Sequence, residues 1–441
     1  MQKPNKLPGE MIWFMAIVLL TALPCRAQGG KAAEATGPDV ELKEFRLDEL
    51  EARLQSMQPG TERDYFTGMV ANRTNHVEAS IDLLNKALPA LREARPDRAK
   101  EALDTLADDY MKTFRYGHAV EAMDDLVAHF AGQFKSRELQ LTKDNAEIAR
   151  ILREAAAQTI DWHGVVALKT EQNPIGSQNV ELTVNGVAGP WLLDTGASLS
   201  VVAKSFAERL GLQLLPGASQ TQAGLTGIEN PLRIALLPTL ELGGATLHNV
   251  VVMVMEDTNL NINLGKTSYQ INGIIGYPVF QALEKITFLH DGEFRAGDAV
   301  PAASHGARMF VKGLTPIVQC EVEGKMLPFG FDTGASRTNL LERYARTFRA
   351  QAKSWKKTQS KLAGAGGAVK RKVYIQPEVK LGIGDKVVTL NKITIYRSST
   401  QSDLDELYGN LGQDIVAGFQ SFTLNFSAMT FQLGEPLSAG K

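Results

Sequence analysis

Between residues 42 and 157 apolar side chains recur every three or four positions. Val77, Ile81, Leu84, Leu88 and Leu91 keep one helical face. Ala99, Ala102, Leu106, Tyr110 and Phe114 keep a second, and Ala119, Met123, Leu126 and Phe130 a third. Glycine is scarce there and the spacers are short, so successive helices should pack as antiparallel hairpins. Around Trp162 the period changes. Runs rich in Val, Ile, Leu and Thr (VVALK, NVELTVNG, RIALLPTLELGG, NVVVMVM, KITFL) alternate with Gly, Asn and Pro, the pattern of β-hairpins. The expectation is a multidomain chain, α followed by all-β.

Ahead of both parts, Lys3 and Lys6 precede the apolar run MIWFMAIVLLTALP (11–24), which CRAQ follows. A positive flank, an apolar stretch and a small-residue site ending at Ala27 form an export signal. The run falls short of the roughly 20 residues a membrane span needs. The reading is a signal peptide over 1–27 and an exported protein, periplasmic or secreted, with no stable membrane span after cleavage. A retained anchor is the alternative, and a lipid on Cys25 is opposed by Pro24. Residues 28–41 are small and polar, and read as a linker. Within the helical region 42–157, Gly68 and Ser80, like Ala107 and Ala119, place small residues 12 apart, a spacing that resembles the tetratricopeptide repeat. That resemblance implies a protein partner for this region; the alternative is a plain helical bundle with no binding groove.

The β part repeats. DTGAS stands at 194–198 and again at 332–336, an offset of 138 residues. NVELTVNG and IVQCEVEG end on Gly186 and Gly324, at the same offset. AGLTG (223–227) has its counterpart in AGAGG (363–367), and LELGG in VKLGIG. GIIGYPVFQALEKITF (273–288) aligns without a gap with GNLGQDIVAGFQSFTL (409–424). About 130 residues are thus duplicated, predicting one half over 160–299 and another over 306–435.

One Asp-Thr-Gly is a tight turn and weak as a signal of chemistry. Two, in duplicated halves, are a different matter. If the halves pack about a pseudo-twofold axis, Asp194 and Asp332 meet. Two carboxylates that close share one proton, so one can take a proton from water while the other donates to a carbonyl. Thr195 and Thr333 can then bond across the axis, while Gly196 and Gly334 let the backbones approach.

The paired DTGAS motifs, each followed by a hydrophobic-hydrophobic-Gly element (Ile274-Ile275-Gly276, and Leu411-Gly412 in the second half), resemble the retropepsin-type aspartic proteases over 165–433. The resemblance implies two β-barrel-like halves with an active site between them, as in the pepsin-like arrangement. Because both halves lie in one chain, it implies no obligate homodimer. It implies an aspartic endopeptidase with Asp194 and Asp332 as the catalytic dyad, supported by Thr195, Gly196, Thr333 and Gly334. Gly224, Leu225, Thr226 and Gly227 in one half, and Gly364, Ala365, Gly366 and Gly367 in the other, would be flap tips closing over an extended peptide. The second half departs from the pattern at Asn410, which stands where the first half has Ile274.

Composition adds exclusions. The chain of 441 residues is 44% hydrophobic and 22% charged, with a formal net charge of −2, so nothing points to nucleic acid. The basic clusters at 353–361 and 370–372 read as solvated. The 7 histidines have no metal-ligand spacing, and neither metal nor cofactor is expected. Cys320, in an apolar-alternating stretch, reads as a buried thiol. The competing function is a catalytically inactive protease-like module that binds peptide or protein, with the helices recruiting a partner.

Overall fold

A computed structural model describes residues 11–14, 17–18, 36–223, 228–297, 306–364, 367–398 and 406–438. The flap-tip positions Gly224, Leu225, Thr226, Gly227, Ala365 and Gly366 lie outside these, as does the cleavage site at Ala27.

The helical region comprises Pro38–Lys43, Leu47–Ser56, Thr61–Arg73, Val77–Ala94, Pro96–Lys112, Tyr116–Phe130 and Ser136–Ile151. Its first helix starts at Pro38, inside the stretch read as linker, because proline preset at the first helical position favours that start. The predicted faces are the buried ones: Ile81, Leu84 and Leu91, then Ala99, Ala102 and Leu106, then Ala119, Met123 and Leu126 share one core. Phe114 is not the last apolar position of its helix as predicted. The helix stops at Lys112, and Phe114 takes a left-handed conformation (φ 59°). Arg115 N–H then donates to Tyr110 O at 2.8 Å, closing the helix end. Asn75 (φ 63°) and Phe45 (φ 55°) reverse the chain after two other helices in the same way. At the crossing of Thr61–Arg73 with Val77–Ala94, a Cβ on Gly68 would stand 2.8 Å from Leu84. The small residue sets how closely these helices approach.

In the β part, a ladder of antiparallel strands runs in the order Val166–Gln172, Glu293–Ala296, Lys285–Leu289, Ser421–Asn425, Thr430–Leu433, Ala307–Lys312. Thr287 faces Thr423 at its centre, with the two hydroxyls 2.6 Å apart, and Phe288 stacks on Phe422 at 4.7 Å. On each side of this ladder a hairpin leads into a DTGAS segment. Val187–Leu193 pairs in parallel with Gly273–Ile275, which pairs antiparallel with Ser200–Ala203. Lys325–Phe331, Gly409–Leu411 and Asn339–Leu340 make the same arrangement.

Two long hairpins project from the sheets, Ser219–Ala223 with Ile228–Glu241 and Lys356–Gly364 with Gly367–Ile383. Gly364 and Gly367 end the paired part of the second. Lys361 faces Lys370 across its strands, and both are exposed, as are Lys357 and Lys372. Leu362 and Val373 turn the other face into the core. The solvated reading of these lysines holds. Residues 11–14 and 17–18 of the apolar run form short strands, the first parallel to 361–364 and the second antiparallel to 222–223.

The helical region docks on the β part through a shared apolar core, in which Phe310, Ile317, Leu341 and Leu362 join the helices' buried residues, and through polar contacts. Gln319 Nε2 donates to Phe45 O at 2.9 Å, and Asn75 Nδ2 to Phe426 O at 3.2 Å. Ser219 Oγ, at the base of the first hairpin, donates to Asp144 O at 2.9 Å. Among the described residues, no helix is long and apolar enough to cross a membrane.

Candidate active site

Each Asp strand is apolar because both of its faces are covered. Trp191, Leu192 and Leu193 are all buried, as are Phe329 and Phe331. Strand pairing stops at the next residue, where the chain turns. Asp194 N–H donates to Ile275 O at 3.1 Å and Asp332 N–H to Leu411 O at 3.0 Å, fixing both turns to the glycine-bearing strands. Ala197 and Ala335 then accept from Tyr277 N–H and Gln413 N–H, each at 2.8 Å. Both loops are therefore held by the main chain, which any sequence with these turns can supply.

The loops meet through their threonines. Thr333 Oγ1 accepts from Thr195 N–H at 2.9 Å and donates to Leu193 O at 2.8 Å. Thr195 Oγ1 accepts from Thr333 N–H at 3.1 Å and donates to Phe331 O at 3.3 Å. Each hydroxyl uses both its donor and its acceptor capacity across the divide, in an interior where unpaired polar atoms are costly.

The two aspartates face one another. A Cβ on Gly196 would lie 2.5 Å from Asp332 Cγ, and one on Gly334 would lie 2.4 Å from Asp194 Oδ2. Each carboxyl thus rests directly on the other loop's glycine, where no larger residue fits. Both are buried, at 0% exposure for Asp194 and 1% for Asp332. Burial pushes the Asp194 carboxyl well above the usual range, and the Asp332 charge beside it adds to the shift. Burial also raises Asp332, opposed by hydrogen bonds from Asn410, Asp194 and the backbone of Gly334 and Ala335. The arrangement suits a pair that holds a single proton between them.

Sequence reasoning placed Asp194, Thr195, Gly196, Asp332, Thr333 and Gly334 in one site, and the structure brings these six together. It did not find the groups behind them. Asn410 Nδ2 donates to Asp332 Oδ2 at 3.0 Å, and Gln413 Nε2 donates to Thr333 O at 2.7 Å. Ser177 Oγ donates to Gly334 O at 3.2 Å. For Asn410 a signal existed: a polar residue at a position apolar in the other half. Cys320 is buried and free, and burial raises its thiol pKa, so it takes no part here.

Residues 180–279 match the family model described as aspartyl protease, and Asp194 therefore lies in an aspartyl protease-like domain. No curated protein matches the chain. Solved structures similar to it include basic 7S globulin from soybean, with a TM-score of 0.37 and 12% identity, covering 62% of this chain and 94% of that one. Conglutin gamma, a basic 7S globulin from lupine seeds, has a TM-score of 0.38 and 10% identity, covering 61% and 94%.

Proposed function

We propose that this protein is an aspartic endopeptidase whose halves, 160–299 and 306–435, are related by a pseudo-twofold axis passing between Asp194 and Asp332. The observation that carries the reading is the contact of each buried aspartate with the glycine of the opposite loop, locked by reciprocal threonine hydrogen bonds. The ionised member takes a proton from a water as its oxygen attacks the peptide carbonyl, and the protonated member donates to the carbonyl oxygen. The tetrahedral intermediate then collapses as the carboxyl that took the water's proton gives it to the amide nitrogen and the other takes back a hydroxyl proton, releasing amine and acid with no metal and no covalent enzyme intermediate.

The substrate is an extended peptide or protein segment held by main-chain pairing along the two long hairpins. Support comes from their edges, which pair with extended main chain at residues 11–14 and 17–18. That segment is also the apolar run of the export signal. Its removal opens both edges, giving a mature exported protein with its cleft free. The helical region 42–157, tetratricopeptide-like in its small-residue spacing, recruits a protein partner.

The test is cleavage of a mixed peptide library, from acid to neutral pH, by the wild type lacking residues 1–27 and by Asp194→Asn. Cleavage by the wild type alone is expected. Equal cleavage by both, or none by either, removes the hydrolase reading and leaves a peptide-binding module.

A further inference from the structure

The two aspartates occupy equivalent turns but receive different hydrogen bonds. Asp194 accepts from the Gly196 N–H, at 2.9 Å on Oδ1, and from the backbone of Ala197, while its Oδ2 is buried and meets no protein donor. Asp332 Oδ1 accepts from both Gly334 N–H at 2.8 Å and Ala335 N–H at 3.0 Å. Its Oδ2 accepts from Asn410 Nδ2 at 3.0 Å. A carboxyl with donors on both oxygens is suited to the ionised form. One with a buried oxygen lacking a donor is better served as the acid, its own O–H pointing at the neighbouring carboxylate.

The source of the difference is one residue. Ile274 pairs with Leu192 and Val201, and Asn410 pairs with Gly330 and Asn339, so the two hold the same register position in their respective strands. Both are buried, Ile274 at 0% and Asn410 at 1% exposure. Isoleucine has nothing to donate. An amide there, with no charge to neutralise, has one evident use, which is the bond it makes.

We infer that Asn410 is a positioning residue that breaks the symmetry of the pair, keeping Asp332 as the carboxylate and leaving the shared proton on Asp194 Oδ2. The inference rests on the hydrolase reading for its catalytic consequence: Asp332 takes the proton of the attacking water, and Asp194 gives its proton to the substrate carbonyl oxygen. Other charged groups near Asp332 do not impose this choice. Asp194 faces it across the divide, and no charged residue stands on Gly409–Leu411 or in the opposing Thr195-Gly196 turn. Arg337, further along its own loop, is exposed. Asp414, on the next turn, accepts from Thr338 N–H at 2.8 Å and Thr338 Oγ1 at 2.6 Å.

The experiment compares the wild type with Asn410→Leu, which removes the donor at similar volume, by two measurements. The first is the acid limb of kcat/KM against pH for peptide cleavage. Loss of a hydrogen bond to a charged oxygen should move that limb up by about one pH unit, a tenfold change in the ionisation constant. The second needs no activity: the gap in melting temperature between wild type and variant, followed with pH. Because the bond favours ionised Asp332, its stabilisation is present above that group's folded pKa and is lost as pH falls through it. The gap should therefore be wider at about pH 7 than at about pH 3. A gap independent of pH, or an unmoved acid limb, would make Asn410 a packing residue and overturn the inference. A narrowing gap in a wild type that cleaves nothing would remove the hydrolase reading and leave the proton assignment standing.

Discussion

Replacing Thr333 by valine tests whether the threonine crossing holds the two DTGAS loops together. Thr333 is 1% exposed, and its hydroxyl serves Thr195 N–H at 2.9 Å and Leu193 O at 2.8 Å. Valine has nearly the same shape, so the cavity and the methyl contacts are kept. What remains is a main-chain donor and a main-chain acceptor without partners in a dry interior. Each costs about 1–3 kcal/mol, which puts the loss at about 2–6 kcal/mol. Serine is the control, because it keeps the oxygen and gives up one methyl, worth about 1 kcal/mol. Urea unfolding followed by tryptophan fluorescence is the assay. Trp191, buried two residues before Leu193, reports on this part of the core. The expected order of midpoints is wild type, Thr333→Ser, then Thr333→Val, with peptide cleavage falling in the same order. A valine variant as stable as the serine variant would refute the reasoning, because the hydroxyl bonds would then contribute nothing beyond the methyl. The effect should not add to that of Thr195→Val, since both changes open one network.

Two further outcomes follow from contacts. Gly334→Ala puts a methyl group where Asp194 Oδ2 now lies 2.4 Å away, so the carboxyl must move. With displacements near 1 Å costing about a hundredfold in rate, kcat/KM should fall by at least that much while circular dichroism is unchanged. The second concerns Asp104, in the helical region, whose carboxyl burial pushes up to about 7 against the pull of Lys100 and Lys312. A raised folded pKa means stability present below the usual carboxylate range and lost as pH rises towards 7. Asp104→Asn removes that loss, so the variant should exceed the wild type in melting temperature at about pH 8 and not at about pH 4.

Much of the local structure was legible because it depends on neighbours in sequence. Helical faces followed from apolar residues three and four apart, and Val77–Ala94 buries Ile81, Leu84 and Leu91 as their spacing required. The hairpin turns at Asn185-Gly186 and Glu323-Gly324 use left-handed backbone, with φ of 50° and 76° in one and 49° and 75° in the other. Helix ends were less legible. Phe114 continues the apolar period, yet a left-handed residue satisfies the last carbonyls better than another helical turn would, and no glycine marks the stop. At 410, the alignment of the two halves predicted an apolar position, and the asparagine there reads as an imperfection until Asp332 is placed beside it.

The sequence by itself determined that two identical carboxylate turns exist, that each ends an apolar strand, and that an α region precedes a β region. Repetition and periodicity are properties of the linear order, and the backbone obeys them locally. Only the tertiary structure decided that Thr195 and Thr333, 138 residues apart, exchange hydrogen bonds, and that Asn410 reaches back 78 residues to one aspartate of the two. Those contacts depend on strand register and on how two separately folded loops are pressed together. A buried oxygen that differs from its twin by one donor is visible only once both are in place.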